Sequence, residues 1–227
     1  MGRRGREPVV TIDGPAGAGK STVARKLAER LGYRLLDTGG MYRAVAWSVA
    51  RAGVDPADEV SVAKHLASIT VKVEDDRFLV DGHDVTGEIR TPEIGALTSK
   101  LTALAPVRDK VTPLQRELAA RGGVVLEGRD TGTVVCPDAD VKFFLDASVE
   151  TRARRRHAEL VAAGRALPLD AVRVEIAARD RQDRTRALAP LRKADDAIEV
   201  DASDRTPDEV VAVMLDAVER QRCCTRS

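Results

Sequence analysis

The chain has 227 residues, 43% of them hydrophobic and only 3% aromatic, with 37 basic and 36 acidic side chains giving a net charge of +1. This length suits one α/β domain with an insertion, and the charge balance argues against a general nucleic-acid binder, whose affinity rests on neutralising phosphates. No apolar run approaches the roughly 18 residues that a membrane-spanning helix needs.

The basic start, MGRRGREP, has no apolar stretch behind it, so residues 1–7 are expected to be a short disordered arm and not a secretory signal. Apolar, β-branched Val9–Ile12 then reads as a buried parallel strand. It runs into Gly14-xxxx-Gly19-Lys20-Ser21, and beyond it Val23, Ala24, Leu27, Ala28 and Leu31 recur at helical spacing, predicting a helix over Lys20–Leu31. A glycine-rich loop between strand and helix is a phosphate cradle. Its glycines let backbone N–H groups turn toward an anion, the helix N-terminus adds free N–H groups and a positive dipole end, Lys20 can reach the β and γ phosphates, and Ser21 can ligate Mg²⁺. The loop predicts a bound nucleoside triphosphate.

A second strand is expected at Arg34–Leu36 and a helix over Gly40–Ala52, with Thr38 as its cap. Ile69–Val85 alternates with period two, with turn residues at Asp75–Asp76 and Asp81–Gly82, and reads as a small antiparallel meander. Thr91-Pro92-Glu93 starts a helix. Residues 62–99 thus look like an insertion between the second and third strands of the main sheet. Further strands are expected at Val124–Leu126, Val141–Leu145 and Ala197–Val200, and helices at Val149–Ala163, Leu169–Arg186 and Pro207–Gln221. The last of these carries a start signal in Thr206, Pro207 and Glu209. Alternation of strands and helices implies a parallel sheet covered by helices on both faces. One domain over 8–221 is expected, with a tail at 222–227.

Two more polar loops fall at the C-terminal ends of strands, where open α/β sheets bind ligands. Asp37-Thr38-Gly39-Gly40-Met41-Tyr42-Arg43 follows the second strand, and Arg43 can grip a phosphate bidentately. Glu127-Gly128-Arg129-Asp130-Thr131-Gly132 follows the third, with carboxylates that could hold Mg²⁺ through water. Arginines then cluster on two helices joined by a loop at Gly164–Pro168. Arg152, Arg154, Arg155 and Arg156 precede the loop; Arg179, Arg181, Arg184 and Arg186 follow it. Arg179, Asp183 and Arg186 share one helical face, whereas Asp180 and Arg184 are expected to pair in solvent. Such arginines can supply the charge-neutralising cations of phosphoryl transfer. Cys136, Cys223 and Cys224, and His65, His83 and His157, have no metal-ligand spacing. A reduced, cytoplasmic protein is expected.

The phrases GPAGAGKST, LLDTGGMYR, GEIRTPEI, EGRDTGTVV, KFFLDAS and RDRQDRTRALAPL, in this order, resemble the bacterial cytidylate kinases, a group of P-loop nucleoside monophosphate kinases. The resemblance spans nearly the whole chain. It implies a P-loop NTPase fold with a five-stranded parallel sheet in the order 2-3-1-4-5, an insertion that closes over the monophosphate, and a lid over ATP at about 152–169. It implies transfer of the γ-phosphoryl group of ATP·Mg²⁺ to CMP or dCMP by a monomer that acts on neither nucleic acid nor membrane. By resemblance, Gly14, Pro15, Ala16, Gly17, Ala18, Gly19, Lys20, Ser21 and Thr22 bind ATP. Thr38, Tyr42 and Arg43 contact CMP, Ser99, Arg108 and Asp130 read the cytosine, Arg129 and Arg186 hold phosphate, and Arg179 and Asp183 contact the sugar. Lys20, Arg129, Asp130 and Arg186 are the implied catalytic residues, and Ser21 the implied Mg²⁺ ligand, helped through water by Glu127 or Asp130. The family often has Ser at the position of Thr38, which keeps the hydroxyl, and Asp at that of Glu127.

Three other readings compete, of which a nucleic-acid-binding ATPase is opposed by the charge balance and the scarcity of aromatic residues. The insertion with period-two strands fits an adenylate or shikimate kinase poorly. A GTP-binding switch would carry an NKxD motif, and this chain has no asparagine.

Overall fold

The computed structural model describes residues 6–74 and 76–226. The strands are β1 (Val9–Asp13), β2 (Arg34–Asp37), β3 (Val71–Glu74), β4 (Arg77–Val80), β5 (His83–Asp84), β6 (Val124–Gly128), β7 (Val141–Asp146) and β8 (Ile198–Asp201). The helices are α1 (Lys20–Leu31), α2 (Thr38–Arg51), α3 (Glu59–Ser68), α4 (Pro92–Leu101), α5 (Ala105–Ala120), α6 (Val149–Ala162), α7 (Leu169–Thr185) and α8 (Pro207–Arg226). Two compact units result, one within Met1–Leu35 and Arg121–Ser227, the other within Leu36–Ala120. No helix among the described residues is long and apolar enough to cross a membrane.

The first unit is built on a five-stranded parallel sheet in the order β2-β6-β1-β7-β8. Renumbered within this sheet, that is the expected 2-3-1-4-5. β1 is the central strand. Val10 lies in register with Val125 of β6 and Val141 of β7, and all five β1 residues are buried. A strand covered on both faces must be apolar throughout, and that is why Val9–Ile12 carries no polar alternation beyond Thr11. The core beside it joins Leu27 of α1, Phe143 and Leu145 of β7, and Met214 and Val218 of α8. Each such side chain contributes about 1.5–3 kcal/mol by leaving water.

Local chemistry sets the helix ends. Gly32, at φ 68°, closes α1 in the left-handed conformation. Thr206 and Glu209 form the expected capping box of α8, with Glu209 Oε2 accepting from Thr206 N at 2.7 Å. That helix continues to Arg226, so the expected tail is helical as far as it is described; Ser227 lies outside the described residues. The first five residues of the expected arm lie outside them too. Arg6 and Glu7 are held down: Arg6 pairs with Asp140 at 2.9 Å, and Glu7 accepts the Tyr33 hydroxyl at 2.7 Å.

The second unit holds the meander as a three-stranded antiparallel sheet, β3-β4-β5. Asp76, Asp81 and Gly82 take positive φ at its turns; Asp75 lies outside the described residues. Thr91 caps α4 through Ile94 N, as expected. Thr38, expected to cap α2, is instead that helix's first residue, and Asp37 is the cap, its Oδ1 accepting from Gly40 N at 2.8 Å. Asp outranks Thr as a cap. Helices α3 and α5 were not expected. Asp58 caps α3, and α5 runs through an internal proline, Pro113.

Candidate active site

The loop between β1 and α1 is a backbone cradle. A Cβ on Gly14 would run into the carbonyl oxygen of Leu145 on β7. Gly17 and Gly19 sit at φ 75° and 94°, where L side chains are strained. Gly19 is the cap of α1 and provides no side-chain hydrogen bond, so the N–H groups of the first turn are left for an anion.

Lys20 is buried, and its Nζ donates to the carbonyl oxygen of Pro15 at 2.7 Å. Burial, and then the charge of Arg129, lower its pKa to about 7; Glu127, Asp13 and Asp183 oppose that shift. A buried ammonium with so little compensation is a socket for a polyanion. Ser21 Oγ donates to Glu127 Oε2 at 2.9 Å. The longer side chain of Glu, where the family often has Asp, spans that distance. This pair of hard oxygen donors suits Mg²⁺, which keeps waters and phosphate oxygens in its shell and needs few protein ligands. Among the described residues no group of three or more His, Cys, Asp or Glu could form a metal cage.

Helix α6 secures the cradle from behind. Arg152 is 2% exposed. Its Nε donates to the Ala147 carbonyl at 2.9 Å, its Nη1 to the Ala16 carbonyl at 3.1 Å, and Nη1 pairs with Asp180 Oδ2 at 2.7 Å. Arg155 donates to the carbonyls of Ala18 and Ala202. Each carbonyl held this way faces a guanidinium, away from the anion that the amides would bind. Asp180 is therefore buried against Arg152, not paired with Arg184 in solvent as expected. The pattern that places Asp180 and Arg184 four apart carries no information about a partner one helix away.

The loop after β6 carries the second cluster. Arg129 Nε donates to Asp183 Oδ2 at 3.0 Å, and Asp183 lies 3.9 Å from both Arg179 and Arg186. Arg186 is 3.6 Å from Asp130. The structure thus gathers Arg129 and Asp130 from the loop with Arg179, Asp183 and Arg186 from one face of α7 and its end. Three guanidiniums stand against two carboxylates, which leaves positive charge for phosphates.

In the second unit Thr38, Tyr42, Ser99 and Arg108 are all buried. Arg108 lies over the Tyr42 ring, 5.8 Å from its centroid, and its Nε donates to the Thr102 carbonyl at 2.9 Å. Arg43 Nη1 donates to the Ile89 carbonyl at 3.2 Å, and its guanidinium lies beside Gly95, where a Cβ would stand 3.3 Å from Nη1.

One residue that the sequence reading passed over sits at the end of β1. Asp13 Oδ1 accepts from the backbone N–H and the hydroxyl of Thr131, each at 2.8 Å, and Oδ2 accepts from Gly132 N at 2.7 Å. Burial raises its pKa, against the pull of those three hydrogen bonds. The available signal was a carboxylate closing an otherwise buried strand.

A family model described as cytidylate kinase matches residues 10–220. The chain is 50% identical over 226 residues to the cytidylate kinase of Geobacter sulfurreducens (strain ATCC 51573 / DSM 12127 / PCA), covering 97% of this chain and 96% of that one. It is 49% identical over 214 residues to the cytidylate kinase of Mycobacterium leprae (strain Br4923), covering 94% and 96%. A crystal structure of an uncharacterized protein from Eubacterium ventriosum ATCC 27560 is similar with a TM-score of 0.52 at 13% identity, covering 94% of this chain and 99% of that one, a likeness of fold alone. The matches to the family model and to full-length relatives, together with the P-loop and the arginine cluster, place this chain in the cytidylate kinase family.

Proposed function

We propose a division of labour among these residues for the reaction of the family: transfer of a phosphoryl group from ATP to CMP or dCMP, giving CDP or dCDP and ADP. The cradle Gly14–Thr22 binds the triphosphate of ATP, with Lys20 as its main side-chain cation. Mg²⁺ enters with ATP and, when bound, neutralises charge on the phosphates; Ser21 would hold it, with Glu127 ordering its water.

Arg129 and Arg186 hold the transferring and accepting phosphates, and Asp130 and Asp183 fix their guanidiniums. Arg179 and Asp183 contact the sugar of the acceptor, and Thr38, Tyr42 and Arg43 contact CMP, with Arg43 on its phosphate. Ser99, Arg108 and Asp130 read the base. Cytosine offers a donor at N4 and acceptors at N3 and O2, whereas uracil presents a donor at N3 and an acceptor at O4. Buried polar groups matched to cytosine are left unpaired by the wrong base, a design that can discriminate by about 10⁴–10⁵.

No general base is required, because the acceptor oxygen already belongs to an anion. Catalysis is positioning plus charge neutralisation. The lid over ATP lies within residues 152–169, beyond Arg152 and Arg155, which hold carbonyls of the cradle. The setting is cytoplasmic pyrimidine nucleotide metabolism, with the chain acting as a monomer on ATP and CMP.

The observation that carries this reading is the buried Lys20 with the Ser21–Glu127 pair beside it. The test is Lys20→Ala, assayed for ADP formation with CMP. Loss of turnover by about 10³-fold or more with an unchanged circular-dichroism spectrum is expected. A folded Lys20→Ala protein with wild-type turnover would remove Lys20 from the mechanism.

A further inference from the structure

We infer that Asp13 is a positioning residue for phosphoryl transfer: it locks the loop bearing Arg129 and Asp130 to the strand that leads into the phosphate cradle. The inference rests on the assignment of that loop proposed above. Three hydrogen bonds of 2.7–2.8 Å run from Thr131 and Gly132 to one carboxylate that is only 4% exposed. They engage both oxygens, and two of the three donors are backbone amides, so they fix the path of the chain and not merely a side chain. Gly132 confirms how closely the loop is drawn in, since a Cβ there would stand 2.9 Å from Thr11 Oγ1 and 3.4 Å from Asp13 Oδ2.

The consequence lies on either side of these contacts. Asp13 is followed at once by Gly14, where the cradle begins. Thr131 is preceded at once by Asp130 and Arg129. The carboxylate therefore ties the start of the cradle, one residue on, to the arginine cluster, which begins one residue before Thr131. It does not itself face a reacting atom, because its lone pairs are directed at Thr131 and Gly132. Its effect is the relative placement of Lys20 and Ser21 on one side and Arg129 and Asp130 on the other. Misplacement of such groups by about 1 Å can cost about 10²-fold in rate. The cradle has independent supports in Arg152, Arg155 and the Lys20–Pro15 bond, so its grip on ATP survives loss of the lock.

The test compares Asp13→Asn and Thr131→Val with wild type in the full chain, each at saturating ATP·Mg²⁺ and CMP, with Arg129→Ala as control. Asn keeps the shape but presents N–H₂ to one donor; Val removes one of the three bonds and leaves the backbone pair. The expected result is kcat down by about 10–100-fold for Asp13→Asn, less for Thr131→Val, with KM for ATP within about threefold of wild type. In the double variant the two losses should fall short of additive, since both break one lock. A lower melting temperature with kcat per folded molecule unchanged would make Asp13 structural only and overturn the inference, and so would equal changes in KM and kcat/KM with kcat constant. If Asp13→Asn does not fold, Thr131→Val decides: a wild-type kcat from that variant overturns it. If Arg129→Ala turns over like wild type, the loop's assignment fails and the inference falls with it; if Arg129→Ala is impaired and both lock variants are not, the inference alone fails.

Discussion

Arg152 Nη1 lies 2.7 Å from Asp180 Oδ2 and 3.1 Å from the carbonyl oxygen of Ala16, so one guanidinium joins α7 to the phosphate cradle. Both side chains are buried, and Asp180 Oδ1 has no hydrogen-bond partner among the described residues. Removing Arg152 alone strands a buried carboxylate, at a cost of about 3–5 kcal/mol. Arg152→Leu should therefore lower the urea midpoint markedly, and Arg152→Leu with Asp180→Leu should recover much of the loss. The KM for ATP should stay raised in both, because neither holds the Ala16 carbonyl. Recovery of ATP affinity together with stability would show that the cradle does not depend on Arg152.

Lys20 makes nucleotide binding pH-dependent. Burial and Arg129 bring its pKa from 10.5 to about 7. The unfolded chain thus binds more protons than the folded one between those values, so this lysine disfavours folding at neutral pH and ceases to as pH rises through that window. A bound polyphosphate favours the ammonium form, so binding should take up a proton there. Calorimetry near pH 8 in buffers of different ionisation enthalpy should report an uptake approaching one proton per ATP, vanishing near pH 5.5. Lys20→Met should abolish the uptake, and an uptake that persists in this variant would assign the proton elsewhere.

Most of what local pattern encodes was legible in the chain itself. The α1 boundaries follow from Gly19, the apolar spacing and Gly32. The α8 start follows from Thr206 and Glu209, and the five strands follow from apolar runs. The meander followed from period-two alternation. Helix α5 did not, because Pro113 interrupts its pattern and its buried face mixes Arg108, Thr112 and Gln115 with valines. The cap of α2 was displaced by one residue because Asp37 and Thr38 are both good caps, and only geometry separates them. Within the site, Lys20 and Ser21 are given by the motif. Asp13 and Arg152 are not, since their partners lie 118 and 136 residues away. No spacing rule reaches that far; only folding brings Thr131 to Asp13 and Ala16 to Arg152.

The Ser21–Glu127 pair predicts a specific metal phenotype. Ser21→Ala and Glu127→Gln should each raise the Mg²⁺ concentration for half-maximal activity by about 10–100-fold, the usual scale for groups that order a metal's ligands. Titration of activity with Mg²⁺ at fixed ATP measures this. An unshifted titration in Glu127→Gln would leave Glu127 as a partner for Ser21 only.

Base reading is tested by preference, not rate. Arg108→Ala and Asp130→Ala should each narrow the ratio of CMP to UMP turnover by about 10-fold or more, since the loss of a base partner falls on the matched base and any effect on Arg186 is common to both acceptors. Ratios equal to wild type in both variants would move base recognition to other residues.

The most direct measurement is ADP production from ATP·Mg²⁺ with CMP, dCMP, UMP, AMP and shikimate offered separately. Strong turnover with CMP and dCMP and weak turnover with the rest is expected. Preferred turnover of AMP or shikimate, or ATP binding without transfer to any of the five, would contradict it.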